Sequence, residues 1–390
     1  MTNATYKRLG DLINLKRGYD LPESQRKPGP YPVISSAGVS GYHDEYKVEG
    51  KGVVTGRYGT LGEMYYVEGK YWPHNTALYV TSFKGNNPKY IYYLLSCLGR
   101  IRTSDKSAVP GVNRNELHEM AVPAIDEKNL QKKIAAVLSG LDAKIDCNNR
   151  IDAELEAMAK TLYDYWFVQF DFPDANGKPY KSSGGKMVYN ATLKREIPAG
   201  WLHSTIGETF KTHLGGTPSR EKKEYWTPSE VNWLSSGENP STFVVDPDER
   251  ISKLGLQNSP AKLLPPGTVI LSIVRHLRAS ILGIEAATNQ SVVGIVETSA
   301  FKHCFIYPYL VREISRLMVL RTGAQQPHIN KAVLDESLLV VPDEPTLETY
   351  TNLAAPLFLQ IKNCHQQNRE LTQLRDWLLP MLMNGQVMVA

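Results

Sequence analysis

The chain has 390 residues, 42% hydrophobic and 22% charged, with a net charge of +4. That length predicts two or three domains, and no apolar run reaches the roughly 18–20 residues of a membrane span. The opening MTNATYKRLG lacks a signal peptide's apolar segment, and Cys97, Cys147, Cys304 and Cys364 are scattered with no CxxC pair, so a cytoplasmic protein with buried reduced thiols is expected, not disulfides or zinc.

Charge is unevenly distributed along the chain. Residues 1–125 carry 16 basic and 11 acidic side chains, a net +5. Residues 126–170 and 343–390 are each −2, while 171–197 is +2 and 198–342 is +1. Neutral-to-basic blocks thus alternate with acidic segments, as in a protein whose blocks meet a polyanion. A charge of +5 over 125 residues is also ordinary, so the split alone decides nothing.

The first block opens with RLGDLINLKRGYDLP (8–22), followed by short β-branched and aromatic runs between Gly, Pro and Asn turns: YPVISSAG, GVVTGRYG, GEMYYVEG. NPKYIYYLLSCLGRI (87–101) predicts a short helix, with GNNPKY as its start. A long helix is expected after Pro123, capped by Asp126 and running to about Phe167. A linker, 169–200, leads to a second block that repeats the first. TIGETFKTHLGGTPS (205–219) answers the opening, with Gly10 on Gly207 and Gly18 on Gly215. PPGTVILSIVR (265–275) answers GKGVVTGRYG (50–59). ATNQSVVGIV (287–296) answers PHNTALYV (73–80), and GAQQPHINKAVLDESLLVVP (323–342) answers SAVPGVNRNELHEMAVP (107–123). The offset widens from 197 to 219, which indicates a duplication with an insertion near residues 220–250 of the second copy. FIYPYLVREISRLMVL (305–320) repeats the short helix. A second long helix is expected from Asp343 to a Gly385 cap, kinked or broken at Pro356 and Pro380.

Both long helices carry one apolar stripe with polar residues across the middle. On the first, Leu141, Ile145, Asn148, Leu155, Met158 and Leu162 are seam candidates. On the second they are Leu357, Ile361, Cys364, Leu371, Leu374 and Leu378. Two such helices can bury both stripes as an antiparallel coiled coil, with Asn148 and Asn149 setting register. About 40 residues at ~1.5 Å each gives a rod on the order of 60 Å, against roughly 34–36 Å for one duplex turn. The expected fold is α+β: two α/β blocks (1–125 and 201–342), each followed by a long helix (126–168 and 343–390), with a pseudo-twofold internal repeat. Trp166, Phe167 and Trp377 lie outside the seam and, with Leu378 at its end, either meet a partner or cap the core of a neighbouring domain.

Catalytic motifs are missing. TGRYGTLG (55–62) has no Lys-Ser/Thr and opens no helix, so it is not a phosphate loop. No Asn/Asp-Pro-Pro-aromatic segment offers a base pocket, and no Asp…Glu-x-Lys set suggests a nuclease. His43, His74, His203, His276 and His328 are not paired as metal ligands. A chain without catalysis is expected, the alternative being a DNA methyltransferase or nuclease acting on its own. A purely structural coiled-coil scaffold is a third reading.

With the repeated opening, GRYGTLGE, PHNTALYV, REIPAGW, GGTPSR, LRDWLLPMLMNG and the stretch from LDAKIDCNNRIDAELEAM to GKPYKSSGGKM, the chain resembles the specificity subunits of type I restriction–modification enzymes. It departs from their usual pattern at Asn129–Gln131 and Pro356. The resemblance implies two target-recognition domains reading the halves of an asymmetric, bipartite double-stranded DNA site, with the helices measuring its spacer. It implies docking of two methyltransferase (modification) subunits and of restriction/translocase subunits. S-adenosylmethionine, ATP and Mg are then expected on those partners and no cofactor on this chain.

Base and phosphate readers should be long or planar polar side chains on loops between strands. The first block offers Arg57, Tyr58, His74, Asn75, Ser107, Asn113 and Arg114. The second offers Thr217, Ser219, Arg220, Arg275, His276, Arg278, Gln325, Gln326, His328 and Asn330. Any of these could instead be a solvated loop residue or a turn-stabilising one. Lys178, Lys181 and Lys186 could touch phosphate or simply keep the linker soluble.

Overall fold

The computed structural model describes residues 5–57, 63–98, 113–237, 241–323, 327–387 and 389. The chain divides into two compact units, residues 1–145 with 370–390 and residues 146–369.

The first unit runs β1 (Thr5–Arg8), α1 (Leu9–Leu12), β2 (Asn14–Arg17), β3 (Tyr31–Ser35), β4 (Gly38–His43), β5 (Val48–Glu49), β6 (Gly52–Gly56), β7 (Met64–Val67), β8 (Lys70–Pro73), β9 (Ala77–Ser82), α2 (Pro88–Cys97), α3 (Arg114–Glu119) and β10 (Ala121–Ala124), then enters α4 (Lys128–Tyr163). Its sheets are ordered β1-β10, β2-β9-β6-β7 and β4-β3-β8-β5. The strands are short, two to six residues each, and α2 is opened by Asn87, whose side chain accepts from Tyr90 N–H.

The second unit runs β11 (Met187–Asn190), β12 (Arg195–Pro198), β13 (Leu202–Thr205), α5 (Ile206–Thr209), β14 (Thr212–Leu214), β15 (Val231–Leu234), β16 (Phe243–Val244), β17 (Glu249–Ile251), α6 (Lys253–Gln257), β18 (Val269–Ser272), β19 (Arg278–Leu282), β20 (Ala287–Thr288), β21 (Val292–Ile295), α7 (His303–Val319), α8 (Lys331–Asp335) and β22 (Leu338–Val341), then enters α9 (Glu344–Met383). Its main sheets, β13-β22, β14-β21-β18-β19-β16 and β17-β15-β20, repeat the wiring of the first unit. Even the parallel pairing recurs, Val33 opposite Trp72 in one copy and Trp233 opposite Ala287 in the other. Residues 36–37 join β3 to β4, whereas 235–248 join β15 to β17. The insertion therefore sits at 235–248, and it supplies β16, the extra strand on the larger sheet.

Each unit buries parts of both long helices. The core of the first combines Leu130, Ile134, Ala135 and Leu138 of α4 with Leu382 and Met383 of α9. The core of the second combines Ala159 and Tyr163 of α4 with Tyr350, Ala354, Phe358 and Ile361 of α9. Within the second unit the helices run antiparallel: Asn148 Nδ2 donates to Asn368 Oδ1 at 2.9 Å and to Gln367 Oε1 at 3.2 Å, and Asp152 meets His365 at 3.0 Å. Asn368 Nδ2 returns a bond to Asn149 Oδ1 at 2.7 Å. Asn148 is 1% exposed, so the polar interruption of the stripe is one buried amide satisfied by half-buried and exposed amides on the facing helix. In the first unit Asp142 of α4 accepts from Tyr93 of α2 at 2.5 Å and from Arg375 of α9 at 3.1 Å.

Of the expected seam residues, Asn148, Ile361 and Cys364 are buried, and Leu141, Ile145, Leu155, Leu162, Leu357, Leu371 and Leu378 are half-buried. Met158 and Leu374 are 55% and 42% exposed and lie off the seam. Their neighbours Ala159 and Arg375 take the inward positions, one small and one bound to Asp142, so hydrophobicity alone chose the wrong residue by one. Trp166 and Phe167 belong to the second unit's core, and Leu378 packs against the first unit's. Trp377 stays exposed.

The helix ends differ in part from expectation. Asp126 does not cap α4; its carboxylate accepts from Lys7 Nζ at 2.5 Å. Asp343 does cap α9, accepting from Thr346 N–H at 2.9 Å. Pro356 and Pro380 do not break α9. Asn352 and Asp376, whose carbonyls lose their helical donors to the two prolines, are exposed, so water can take those bonds. Gly385 adopts φ +65, and Gln386 N–H reaches back to Met381 O at 2.9 Å, closing the helix in a Schellman turn. Cys97 and Cys147 are half-buried rather than buried; Cys304 and Cys364 are buried, and all four are free.

Gln131, one of the residues that departs from the family pattern, is fully buried. Its amide donates to Asn86 Oδ1 at 2.9 Å and Ile125 O at 2.7 Å and accepts from Asn87 N–H at 2.9 Å. Three groups thus depend on one side chain to pin α4 to the start of α2. Gln131→Ala should cost on the order of 2–4 kcal/mol in urea unfolding of the full chain, since it strands buried polar groups; a change below about 0.5 kcal/mol would contradict this role.

Candidate nucleic-acid interface

Loops at one end of the β2-β9-β6-β7 sheet, and of its counterpart β14-β21-β18-β19-β16, hold a group of the candidate readers in each unit. In the first, β2 ends at Arg17, β6 at Gly56, and β9 begins at Ala77. Gly18 pins the three together: its N–H donates to Ala77 O at 3.0 Å, Tyr19 N–H to Pro73 O at 2.8 Å, and Arg57 N–H to Thr76 O at 2.8 Å. A Cβ at Gly18 would stand 2.2 Å from the His74 carbonyl oxygen, so only glycine fits.

The second unit repeats this bond for bond. Gly215 N–H donates to Val292 O at 3.1 Å, Gly216 N–H to Thr288 O at 2.8 Å, and Ile273 N–H to Ser291 O at 2.9 Å. A Cβ at Gly215 would stand 2.3 Å from the Asn289 carbonyl. By this register Arg57 corresponds to Ile273, and Arg275 lies two residues further along its turn. A side-chain pair is conserved in place though not in chemistry: Asn75 Nδ2 donates to Asp20 in the first copy, and Thr217 Oγ1 to Gln290 in the second.

Around the first pin, Lys16 and Arg17 are exposed. Lys16 Nζ lies 5.4 Å from the Tyr19 ring and Lys47 Nζ 4.5 Å from that of Trp72. The Tyr79 hydroxyl, 3.1 Å away, pulls the Tyr19 phenol below its usual range, aided by the charges of Lys16 and Lys47. Burial, with the Arg26 charge, lowers the His74 pKa, so the ring is neutral at pH 7, its Nδ1 3.0 Å from Thr76 Oγ1. Positive side chains, aromatic faces and one neutral imidazole therefore share this end, a combination suited to phosphate and base edges.

Around the second pin, Arg220 is held from two sides. Its guanidinium lies 3.7 Å over the Trp226 ring and pairs with Glu249 at 2.6 Å, while Trp226 Nε1 donates to Ser219 O at 3.0 Å. The β18–β19 turn, holding Arg275 and His276, is strapped to residues 321–322 and 327–329. Arg275 N–H donates to Pro327 O at 2.8 Å, and Arg321 Nη1 donates to Arg275 O at 2.6 Å. His328 pairs with Thr322 and with Val274. Arg275 takes φ +59, a left-handed backbone kept by these contacts, and its side chain is exposed, as are His276, Arg278 and His328. The structure thus joins SIVRHLR to Arg321, Thr322, Pro327 and His328, about 50 residues away.

Asn113 and Asn330 have other work. Each caps a short helix, accepting from Asn115 N–H and Val333 N–H at 2.9 Å, at equivalent places in the two copies. Their oxygens are spent on the backbone. Arg114, beside Asn113, is exposed. Tyr58, Ser107, Gln325 and Gln326 lie outside the described residues. Sequence reasoning passed over Lys16, Arg17, Lys47 and Arg321. The pair Lys16-Arg17 directly before the pinned glycine was the readable signal.

Comparison with known proteins agrees with this duplicated plan. The family model described as "Type I restriction modification DNA specificity domain" matches residues 1–157 and again 198–346. The type I restriction enzyme MjaIX specificity subunit of Methanocaldococcus jannaschii is 26% identical over 313 residues, covering 77% of this chain and 69% of its own. The HindI specificity subunit of Haemophilus influenzae is 21% identical over 317 residues, 67% of this chain and 68% of its own. The crystal structure of an S subunit from M. genitalium shares the fold at a TM-score of 0.61, with 16% identity and coverage of 98% and 96%. No described helix is long and apolar enough to cross a membrane. A model matched twice, once over each copy of the glycine-pinned block, leaves one assignment: the chain belongs to the type I restriction modification DNA specificity family.

Proposed function

We propose that this chain is the DNA-reading specificity subunit of a type I restriction–modification complex, each block reading one half of an asymmetric bipartite duplex site. The observation that carries this reading is the repeated glycine pin, with unlike side chains around each copy. Like scaffolds give both readers the same posture, with Lys16 set toward phosphate, while Arg17 and His74 on one and Arg220, Arg275 and His328 on the other give them different targets. Phosphate contacts fix posture and base-edge contacts specify sequence. The paired helices set the spacer and, with their exposed apolar residues, offer docking surfaces to two modification subunits and to restriction/translocase subunits. Catalysis, with S-adenosylmethionine, ATP and Mg, falls to those partners, and this chain is the non-catalytic recognition component.

Arg275→Ala leaves the backbone straps of its turn intact, so it should fold. Its DNA discrimination should fall by about 1–3 kcal/mol at one half-site only. Binding to duplexes scrambled in either half measures this, and equal loss on both halves would contradict block-by-block reading. Lys16→Ala should weaken binding alike on all sequences and reduce the slope of log affinity against log salt by about 1. An unchanged slope would remove Lys16 from the phosphate-contacting set.

A further inference from the structure

A side-chain cluster in the second unit stands on the long helices, apart from the glycine-pinned loops. Asp152 and Glu156 stand one turn apart on α4, and His365 faces them from α9. One ligand atom from each lies within 4.8 Å of the others, with His365 Nε2 and Asp152 Oδ2 3.0 Å apart. They line a cavity of about 1030 Å³ whose wall also holds Asp246, Asp248, Arg278 and Arg369. Arg369 is committed to Asp246 at 2.8 Å. Among the described residues no Lys or Arg forms an ion pair with Asp152 or Glu156.

The polar bookkeeping at this cluster does not close. His365 Nδ1 lies 3.1 Å from the Phe243 carbonyl, an acceptor, so that nitrogen carries the proton. Nε2 then faces a carboxylate oxygen, a second acceptor. A neutral ring cannot donate to both, whereas an imidazolium pairs with Asp152 Oδ2 and still leaves the second oxygen of that carboxylate unserved. Asp152 Oδ1 is sealed from solvent and has no hydrogen-bond partner at all. A carboxylate oxygen shut off from solvent normally has a hydrogen-bond partner or a cation beside it. A histidine whose Nδ1–H is held by a backbone carbonyl, with Nε2 turned to carboxylates, has the orientation of a metal ligand.

We propose that Asp152, Glu156 and His365 bind a divalent first-row transition-metal ion of the Zn2+ type. One imidazole nitrogen and two carboxylate oxygens suit Zn2+ better than Mg2+, which prefers oxygen alone and loses its water reluctantly. Metal–ligand distances of about 2.0–2.2 Å put neighbouring ligand atoms roughly 3.0–3.5 Å apart, which the His365–Asp152 pair already satisfies. The ion would be structural. His365 is bonded to Phe243 and Glu156 accepts from Thr242, so the ion would clasp both helices to the strand that the insertion supplies. The first copy has no insertion, hence no counterpart of that strand. This inference does not depend on which DNA is read.

The full chain, stripped with EDTA and dialysed, is titrated with Zn2+ by calorimetry, with Mg2+ as a parallel arm. One Zn2+ per chain is expected, with a raised melting temperature and no comparable response to Mg2+. His365→Gln and Asp152→Asn should lose the stoichiometric site, Glu156→Gln should weaken it, and His203→Gln should not change it. X-ray absorption of the Zn2+-loaded wild type should show one imidazole and otherwise oxygen ligands, and this stands even if a variant fails to fold. No stoichiometric Zn2+, binding undiminished in His365→Gln and Asp152→Asn, or a shell of two or more imidazoles would overturn the proposal.

Discussion

Neither long helix can bury its apolar stripe alone, and the rest of the structure follows from how that is resolved. Half of α4 completes the core of the first unit and half completes that of the second; α9 does the same in reverse order. Each α/β block therefore packs on a surface built from two segments distant in sequence. The seam is not uniformly apolar. Asn148, Asn149, Gln367 and Asn368 form a closed amide cluster, and Asp142 with Arg375 takes a position that a leucine would ordinarily fill. Such pairs satisfy one register and leave unpaired buried groups in any other, trading some stability for uniqueness.

The blocks on these helices show how duplication separates scaffold from specificity. Gly18 and Gly215 are held by the same three backbone bonds, because a side chain at either would collide with a carbonyl. That constraint concerns backbone alone and says nothing about the side chains nearby. Copies under it can keep their posture while exchanging Asn75 and Asp20 for Gln290 and Thr217. A reader assembled this way can change target without changing shape.

Much of this plan was legible in the residues. The pairings of Gly10 with Gly207 and Gly18 with Gly215 mark true equivalences, since both members of each pair meet the same element of their unit. The order and kind of the long helices, the Asn87 start of α2 and the Gly385 cap followed from local rules. What could not be read depended on contacts distant in sequence. Met158 looked inward until Ala159 was seen to hold the seam, and Asp126 looked like a cap until Lys7 claimed it. Asn113 and Asn330 had the chemistry of readers, yet their oxygens close helix starts. Arg321 gave no local signal, because its role at the Arg275 turn arises only when the chain returns there.

Two blocks with one scaffold and different side chains should read two different short sequences. Selection of bound duplexes from a fully randomised pool, with the chain assembled in its modification complex, tests this most directly. The account predicts a split motif: two unlike half-sites separated by a gap of constant length and indifferent sequence. A single continuous motif, a palindrome, or two halves at freely varying separation would contradict it.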